Sequence, residues 1–368
     1  MRALQQINEK ILRFIQNVPM TEFDDGVFQL LALELFRHQF EKNAVYRGVC
    51  LQQSLTPQAI TDWRDIPAVT TSAFKEVALV CFPVHQAIAV FHTSGTTQQR
   101  SGKHYFRTLD FYRAAMLRSF AEFCLAPHKK MRLLSLGPTA EYFPSSSLGY
   151  MFSGLRDEFG DEQNASFFSP AGVDASALLE ALEKAIRENA PVFILGTALA
   201  LLECMEIFQP QNRRFKLPAG SRILDTGGYK GRRVEIGREE FQERLRATFG
   251  ISREYLLNEY GMTELSSQFY ESSIFANRFA KRQTPSAAHF ASPWVRAVAV
   301  DPENLAVLPD GEIGLLRIFD LANVDSVLAI QTEDLGRAWQ DRIELIGRAS
   351  GAELRGCSLL TEMISSRA

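Results

Sequence analysis

A short loop rich in hydroxyl groups is the first segment of the sequence whose residue types could do chemistry. It follows an apolar run that ends at residue 91, and its residues are Thr93, Ser94, Gly95, Thr96 and Thr97. Glycine lets backbone N–H groups approach an anion closely and the hydroxyls add donors, so the loop predicts a di- or triphosphate site. Lys103 would add positive charge, although no Gly-Lys-Ser/Thr follows as in a Walker A loop. A turn that caps the next helix is the competing interpretation.

A second polar segment, residues 258–264, combines two carboxylates with an aromatic ring and a glycine. Its sequence is Asn-Glu-Tyr-Gly-Met-Thr-Glu, after a strand-like stretch that ends at Leu257. A carboxylate at a strand end can hold Mg²⁺ while water and phosphate complete the metal shell. The ring of Tyr260 could stack on a base. A helix cap, with Thr263 and Glu264 in the first turn, explains the same residues.

Two further loops carry polar groups after apolar stretches. Residues 225–230 read Asp-Thr-Gly-Gly-Tyr-Lys, and a tight turn is their alternative interpretation. Residues 332–336 read Thr-Glu-Asp-Leu-Gly and are followed by Gly347 and Arg348. An Asp can bind a ribose diol and an Arg can bind ribose or phosphate, but salt bridges between loops use the same residues.

The cysteines and histidines exclude several classes of site. The five cysteines are Cys50, Cys81, Cys124, Cys204 and Cys357, odd in number, widely spaced and never in a CxxC pair. This pattern indicates free thiols in a reducing compartment rather than disulfides or a zinc site. No HExxH or GxSxG motif is present, which excludes metalloprotease and serine-hydrolase chemistry. We expect the first four cysteines to be buried small apolar residues, whereas Cys357 lies between Gly356 and Ser358.

Alternating strands and helices must position these segments. Residues 1–85 show helical spacing of apolar residues, and from residue 86 onward short apolar strands alternate with amphipathic helices. The expected strands are 87–91, 131–136, 192–195, 223–224, 254–257 and 295–300, and the expected helices are 110–123 and 174–189. This order predicts an α/β fold with a sheet covered by helices. After Asp334 the sequence pattern changes to short expected strands separated by glycines. We therefore predict a large domain over 1–334 and a small β-rich segment over 335–368.

Charge and hydropathy limit the partners. Forty Lys and Arg against 43 Asp and Glu leave a net charge of -3, which argues against nucleic acid or a polybasic membrane anchor. The longest apolar run, residues 191–202, is shorter than the ~20 residues that a membrane span requires. The N-terminal residues lack the continuous apolar stretch of a secretory signal. We therefore expect a cytoplasmic protein without a membrane span.

Taken in order, the motifs resemble those of the adenylate-forming superfamily of acyl and aryl ligases. The closer resemblance is to its acyl-protein synthetase branch, which includes the synthetase subunit of bacterial luminescence fatty-acid reductase and is related to phenylacetate-CoA ligases. The segments that carry the resemblance, which extends over residues 88–362, are 92–97, 146–151, 226–230, 259–264, 332–336, 347–348 and 354–359. The resemblance implies an adenylate-forming α/β fold with a truncated β-rich C-terminal appendage, and ATP and Mg²⁺ as cofactors.

The resemblance also implies a role for each matching position. Phosphate contacts to ATP fall to Thr93, Ser94, Gly95, Thr96, Thr97 and Thr263, the last at the α-phosphate. The adenosine contacts fall to Gly227, Gly228, Tyr260, Asp334 and Arg348. Glu264 would hold Mg²⁺, and Cys357 would accept the acyl group as a thioester. Tyr142, Ser147, Leu148 and Gly149 are candidates for the wall of the acid pocket, with core packing as the alternative.

Two departures from the superfamily pattern affect these expectations. Gln98 stands where a glycine usually follows the phosphate loop. Superfamily ligases also supply a catalytic lysine from a further C-terminal domain, whereas this sequence ends at Ala368. Either Lys230 or Lys103 would contribute the charge instead, or Mg²⁺ would neutralise more of it.

The expected activity is ATP-dependent conversion of a fatty acid to acyl-AMP, followed by transfer of the acyl group to Cys357. An acyl-accepting reductase or carrier protein is the expected partner. Two alternatives stay open at the level of the sequence. One is a ligase for coenzyme A or an acyl-carrier protein, and the other is a catalytically silent binding subunit of a reductase complex.

Overall fold

A computed structural model describes residues 2–93, 101–211, 213–227, 236–279 and 288–349 of the 368-residue chain. The chain divides into two compact units, and several segments contribute to each. The first unit comprises residues 1–118, 261–269 and 285–368, and the second comprises residues 119–260 and 270–284. Among the described residues, no helix is both long and apolar enough to cross a membrane.

Helices and strands alternate through most of the described chain. The α-helices are α1 Arg2–Asn17, α2 Asp25–Lys42, α3 Ala44–Gln52, α4 Ala73–Glu76, α5 Asp110–Phe120, α6 Ser147–Phe159, α7 Ala175–Arg187, α8 Ala198–Phe208, α9 Arg238–Phe249 and α10 Ser273–Phe279. The strands of the first half are β1 Val69–Thr70, β2 Ala89–His92, β3 Lys103–Phe106, β4 Arg132–Leu136, β5 Ala165–Ser166, β6 Phe168–Ser169, β7 Gly172–Val173 and β8 Val192–Thr197. Those of the second half are β9 Arg222–Thr226, β10 Leu256–Tyr260, β11 Phe269–Glu271, β12 Ala288–Phe290, β13 Val295–Val300, β14 Gly314–Asp320, β15 Ala329–Trp339 and β16 Arg342–Arg348.

The second unit is built on a parallel sheet. Its strands pair in the order β10, β9, β8, β4 and β5, and every pair is parallel. Because helices cover such a sheet on both faces, its strands are buried along most of their length. The residues of β4 and of β9 are all buried, and this explains why short apolar runs marked them in the sequence.

Helices α7, α8 and α9 supply the core against this sheet. Leu178 and Leu182 of α7, Leu201 of α8 and Leu245 of α9 belong to one buried cluster that also contains Ile223 of β9. The N-terminus of α7 is capped by Asp174, whose side chain accepts from the Ala177 N–H at 3.0 Å. The predicted helix over 174–189 is therefore confirmed, although it begins one residue later and ends two residues earlier than predicted.

The first unit contains a mostly antiparallel sheet. Strands β13, β14, β15, β16 and β12 pair antiparallel in that order, and β1 joins β15 in parallel. A separate hairpin is formed by β2 and β3, which pair antiparallel from Ala89↔Phe106 to His92↔Lys103. The predicted helical N-terminal part is confirmed by α1 to α4, apart from the two residues of β1 that extend the sheet.

Several predicted element boundaries were wrong by one to three residues, and the largest differences fall on one strand and one helix. The strand expected over 254–257 begins at Leu256 and continues to Tyr260, so Asn258 and Glu259 belong to the strand and not to a loop after it. The strand extends this far because Glu259 pairs in register with Thr226 of the neighbouring strand β9, a contact that belongs to the tertiary structure. The helix expected over 110–123 is α-helical only to Phe120 and closes with a π-turn over Ala121–Leu125.

The C-terminal residues that the structure describes are part of the first unit's sheet. β15 runs through Asp334 without interruption, and β16 pairs with both β15 and β12. The proposed division into 1–334 and 335–368 stays a prediction, because residues 350–368 lie outside the described residues.

Candidate functional site

The base of the predicted phosphate loop is closed by two hydrogen bonds. Thr93 follows β2, its N–H donates to the Gly102 carbonyl at 2.9 Å, and its Oγ1 accepts from the Gly102 N–H at 2.8 Å. A Cβ on Gly102 would lie 3.0 Å from Thr93 Cγ2 and 3.3 Å from Phe74 Cβ, so glycine permits this close approach. Ser94, Gly95, Thr96 and Thr97, together with Gln98, lie outside the described residues.

The predicted α-phosphate and metal residues lie beside this hairpin, within the first unit. Thr263 Oγ1 donates to the His92 carbonyl at 3.4 Å. Glu264 is 6% exposed, and burial raises the pKa of its carboxyl to about 7, while the nearby cations Lys75 and Arg348 act in the opposite direction.

Asp334 and Arg348 are register partners on neighbouring strands of the first unit. The carboxylate of Asp334 and the guanidinium of Arg348 are both close enough to influence the titration of Glu264. Arg348 also pairs with Glu333, with 3.2 Å between Nε and Oε2. The fold therefore brings Thr93, Thr263, Glu264, Asp334 and Arg348 together from four separate parts of the sequence.

The second unit places Gly227 and Tyr260 at the carboxyl ends of two adjacent parallel strands. Tyr260 is the last residue of β10, and Gly227 directly follows β9. Ligands of open parallel sheets bind at this end of the strands. Gly227 has φ +74, and no atom of the described residues lies within 4 Å of a Cβ added there. Gly228 and Lys230 lie outside the described residues.

Beside these two residues, the second unit buries two carboxyl groups. Asn258 Nδ2 donates to Asp225 Oδ2 at 2.7 Å, and Thr226 Oγ1 donates to Glu259 Oε2. Burial raises the pKa of Asp225, and it raises the pKa of Glu259 to about 7. Sequence reasoning treated residue 259 as a loop residue, so its role inside the sheet was missed.

The candidate acid-pocket residues surround the start of α6. Ser146 caps this helix by accepting from the Gly149 N–H at 3.0 Å. A Cβ on Gly149 would lie 3.2 Å from the carbonyl oxygens of Thr139 and Phe143, so the helix start packs tightly on the preceding turn. Tyr142 is 50% exposed, whereas Ser147 and Leu148 are half-buried.

The four described cysteines are free thiols with little access to solvent. Cys50, Cys124 and Cys204 are buried and Cys81 is half-buried. Burial raises the pKa of Cys50 and of Cys204 to about 12, and it also raises the pKa of Cys81 and Cys124. Since the thiolate is the nucleophilic form, these four are poor acyl acceptors. Cys357 lies outside the described residues.

The donor set around Glu264 fits a magnesium ion of the phosphate-bound type. Mg²⁺ prefers oxygen ligands and is held in such sites by one or two carboxylates, with water and substrate phosphates completing the shell. Within the described part of the chain, no group of three or more His, Cys, Asp or Glu side chains is close enough to hold a metal. A single buried carboxylate, such as Glu264 beside the β2–β3 hairpin, is the kind of protein ligand that such a site uses.

Three residues of the first unit that hold the 263–267 segment carried no signal in the sequence. His104 Nδ1 is 2.8 Å from the Thr263 carbonyl, and Asn323 Nδ2 donates to the Glu264 carbonyl at 2.9 Å. Asp320 accepts from the Ser266 N–H at 2.9 Å and from Ser267 Oγ at 2.8 Å. Their separation in sequence, up to 159 residues for His104 and Thr263, hides them from any local motif.

The fold is similar to that of solved adenylate-forming ligases. The 2-hydroxyisobutyryl-CoA ligase solved with 2-HIB-AMP in the postadenylation state has a TM-score of 0.66 and is 14% identical, over 91% of this chain and 70% of that one. ATP-bound MatB from Rhodopseudomonas palustris has a TM-score of 0.51 and is 17% identical, over 73% of this chain and 49% of that one.

The sequence comparisons define the family. The profile of the family described as acyl-protein synthetase, LuxE, matches residues 16–364, and the chain therefore belongs to that family. Two relatives are called long-chain-fatty-acid–luciferin-component ligase. The one from Aliivibrio fischeri is 24% identical over 89% of this chain and 86% of its own length. The one from Vibrio harveyi is 23% identical over 88% of this chain and 84% of its own length.

These findings confirm several predictions made from the sequence. The family resemblance, the adenylate-forming α/β fold, and the enzyme class of an AMP-forming ligase that activates an acid and transfers its acyl group are all confirmed. The roles of the individual site residues stay predictions.

Proposed function

We propose that this protein uses ATP to activate a long-chain fatty acid and retains the acyl group as a thioester on Cys357. The family match over residues 16–364 carries the activation and transfer chemistry. The name shared by the relatives, long-chain-fatty-acid–luciferin-component ligase, supports a long-chain fatty acid as substrate.

In the first step, a carboxylate oxygen of the fatty acid attacks the α-phosphorus of ATP. A bond forms between that oxygen and phosphorus, and the bond from phosphorus to the bridging oxygen breaks, so that pyrophosphate leaves with the electron pair. Such reactions depend mainly on positioning and on charge neutralisation. Thr263 would contact the α-phosphate, and the loop at Thr93–Thr97 would bind the β- and γ-phosphates through its N–H and hydroxyl groups.

Glu264 is the residue that would hold Mg²⁺. When bound, Mg²⁺ neutralises charge on the phosphate oxygens. Gly227, Gly228 and Tyr260 would flank adenine, and Asp334 would accept hydrogen bonds from the ribose hydroxyls while Arg348 assists. The shared environment of Glu264, Asp334 and Arg348 in the first unit supports this assignment.

In the second step, the Cys357 thiolate attacks the carbonyl carbon of the acyl-adenylate. A carbon–sulfur bond forms, the bond from carbon to the phosphate oxygen breaks, AMP leaves, and the thiol proton is released to solvent. The burial and raised pKa of Cys50, Cys124 and Cys204 support Cys357 as the acceptor, because they leave this position as the better nucleophile.

The remaining predicted roles belong to the same proposal. Lys230 would supply positive charge toward the phosphates. Tyr142, Ser147, Leu148 and Gly149 would contact the fatty acid. An acyl-accepting reductase or carrier protein would then take the acyl group from Cys357. Free thiols at the four described cysteines support a reducing, cytoplasmic location.

Intact-protein mass spectrometry tests the proposal directly. The protein is incubated with Mg·ATP and a panel of fatty and aryl acids, and AMP is measured in the same samples. We expect a mass increment for a long-chain fatty acid that hydroxylamine removes and that Cys357→Ser lacks. Cys81→Ser is the matched control, because Cys81 is the least buried of the four described cysteines, and it should keep the full increment.

Other outcomes separate the alternatives. AMP release that requires coenzyme A or an acyl-carrier protein, without a mass increment on the protein, would favour a ligase for those acceptors. No AMP with any acid would favour a silent binding subunit and contradict the proposal.

A further inference from the structure

His104 lies on β3 of the β2–β3 hairpin, and its ring contacts the segment that carries Glu264. The side chain is 2% exposed, and its Nδ1 lies 2.8 Å from the carbonyl oxygen of Thr263. Because a carbonyl oxygen can only accept a hydrogen bond, Nδ1 carries the proton and donates. Burial lowers the pKa of His104 to about 4, so the ring stays neutral near pH 7.

Aromatic neighbours hold the ring in this orientation. The Phe74 ring meets it edge-on at a centroid distance of 5.6 Å, and the Phe106 ring lies 4.1 Å away with a tilt of 36°. Both phenylalanines are themselves buried. A donor whose rotamers are restricted by packing fixes its acceptor more firmly than an exposed side chain would.

The hairpin contacts Thr263 from both of its strands. His104 of β3 donates to the Thr263 carbonyl, and the His92 carbonyl of β2 accepts from Thr263 Oγ1 at 3.4 Å. The carbonyl of the next residue, Glu264, is held by Asn323 Nδ2 at 2.9 Å. Two consecutive carbonyls are therefore fixed by buried, uncharged donors from two different elements.

We propose that His104 is a positioning residue that holds the Thr263–Glu264 segment against the β2–β3 hairpin, next to Thr93. This inference rests on the proposed function, since it concerns the residues assigned there to phosphate and Mg²⁺. His104 itself takes no part in the chemical steps. Its hydrogen bond fixes the position of Glu264, the carboxylate assigned above to Mg²⁺, relative to the hairpin that carries Thr93.

Two substitutions separate the hydrogen bond from simple packing. In His104→Asn the amide nitrogen stands as many bonds from Cα as Nδ1 does, so the donor to Thr263 is kept. In His104→Gln the amide nitrogen stands at the position of Nε2, so that donor is lost. Phe74→Leu is the matched control, because it loosens the packing around the ring without removing the donor.

The readouts are affinity for Mg·α,β-methylene ATP by calorimetry, fatty-acid-dependent pyrophosphate exchange, and the thermal unfolding midpoint. For His104→Gln we expect the affinity for the analogue with Mg²⁺ to fall about 10–100-fold, as for other residues that orient a metal ligand. His104→Asn should keep the affinity for the analogue within about threefold, because its donor to Thr263 is kept. The KM for the fatty acid should stay within about twofold in all variants, because only the residues assigned to Mg·ATP change position. Should His104→Gln fail to fold, His104→Met, which fills similar space without a donor, replaces it.

Equal affinity of the Asn and Gln variants for the analogue would overturn the inference, as would a loss in Phe74→Leu as large as that in His104→Gln. If the unchanged protein binds the analogue but no acid supports pyrophosphate exchange, the proposed function is contradicted. The affinities of the variants for the analogue then still test the role of His104. If the unchanged protein does not bind the analogue, both fall.

Discussion

The two units hold their polar residues by different means. In the second unit, Gly227 and Tyr260 follow or end neighbouring parallel strands, and the buried Asp225 and Glu259 bond to residues of the adjacent strand. In the first unit, Glu264 lies on an irregular segment whose position depends on Asp320 and other residues far away in sequence. One unit uses sheet register, and the other uses side-chain-to-backbone hydrogen bonds.

This difference has consequences for stability. Sheet register is maintained by many equivalent hydrogen bonds and by a shared apolar core, so the loss of one side chain has a local effect. An irregular segment relies on a few buried acceptors, each of which satisfies several donors. We therefore expect single polar substitutions to cost more in the first unit, and apolar truncations to dominate in the second.

Asp320→Ala should show the largest loss of stability. The carboxylate is fully buried and accepts from the Ser266 N–H, Ser267 Oγ and the Ala322 N–H. Removing it leaves these buried donors unsatisfied, and we expect the free energy of unfolding to fall by about 4 kcal/mol. Urea denaturation measures it. Asp320→Asn, which keeps one acceptor, should lose less than half as much, and equal losses would mean that volume matters more than acceptors.

Leu201→Ala should show the largest effect of an apolar truncation in the second unit. Leu201 is fully buried in the cluster formed by α7, α8, α9 and the parallel sheet. The lost burial and the resulting cavity should lower the free energy of unfolding by about 3 kcal/mol. Leu30→Ala, at a position 72% exposed on α2, is the control and should change it by less than about 0.5 kcal/mol. A larger loss of stability from Leu201→Ala than from Asp320→Ala would contradict the expected order of these two substitutions.

Glu259 should make the stability of the protein depend on pH. Its folded pKa, raised by burial from 4.5 to about 7, means that the native state binds a proton more tightly than the unfolded chain does. The contribution of this group is therefore fully present below about pH 4.5 and is lost as the pH rises to about 7, a loss of roughly 2–3 kcal/mol. Glu259→Gln keeps an oxygen to accept from Thr226 and does not titrate.

Urea denaturation at pH 5 and pH 7.5 checks this expectation. The unchanged protein should lose more stability between the two pH values than Glu259→Gln does. Glu271 and Asp320, whose pKa values are also raised, contribute equally to both proteins, so the difference reports Glu259 together with its electrostatic interaction with Asp225. Parallel pH profiles for the two proteins would show that Glu259 does not titrate in this range.

Gly227→Ala should have the smallest effect on stability. Its φ of +74 strains a residue with a Cβ, yet no atom of the described part of the chain lies within 4 Å of that position. We expect a loss of about 1 kcal/mol from backbone strain alone. Gly250→Ala has a similar φ of +67, but its Cβ would lie 2.6 Å from the Phe215 carbonyl oxygen, and so it should lose considerably more. Similar losses at the two glycines, measured by thermal unfolding, would show that contacts add little to strain.

Much of the second unit could be predicted from the sequence. Strands such as Val192–Thr197 and Arg222–Thr226 are buried except at Thr197, and short apolar runs within them marked their positions. The strand that ends at Tyr260 was cut short in the prediction, because Asn258 and Glu259 are polar and only the neighbouring strand shows that they belong to a sheet.

The first unit shows the limit of such reasoning. Thr263 and Glu264 were singled out by their motif, but His104 belongs to none of the motifs found in the sequence. Its hydrogen bond to Thr263 joins residues 159 positions apart, and no local pattern encodes that pairing.

Residue types and their order along the chain determined the family, the ligase class and the set of candidate site residues, because chemistry needs particular side chains in particular local segments. The tertiary structure alone decided which polar residues are buried, which backbone groups they satisfy, and that Glu264, Asp334 and Arg348 share one electrostatic environment. The physical reason is that burial and hydrogen bonding depend on distances between elements, and those distances are set by packing of the whole unit rather than by any short stretch of sequence.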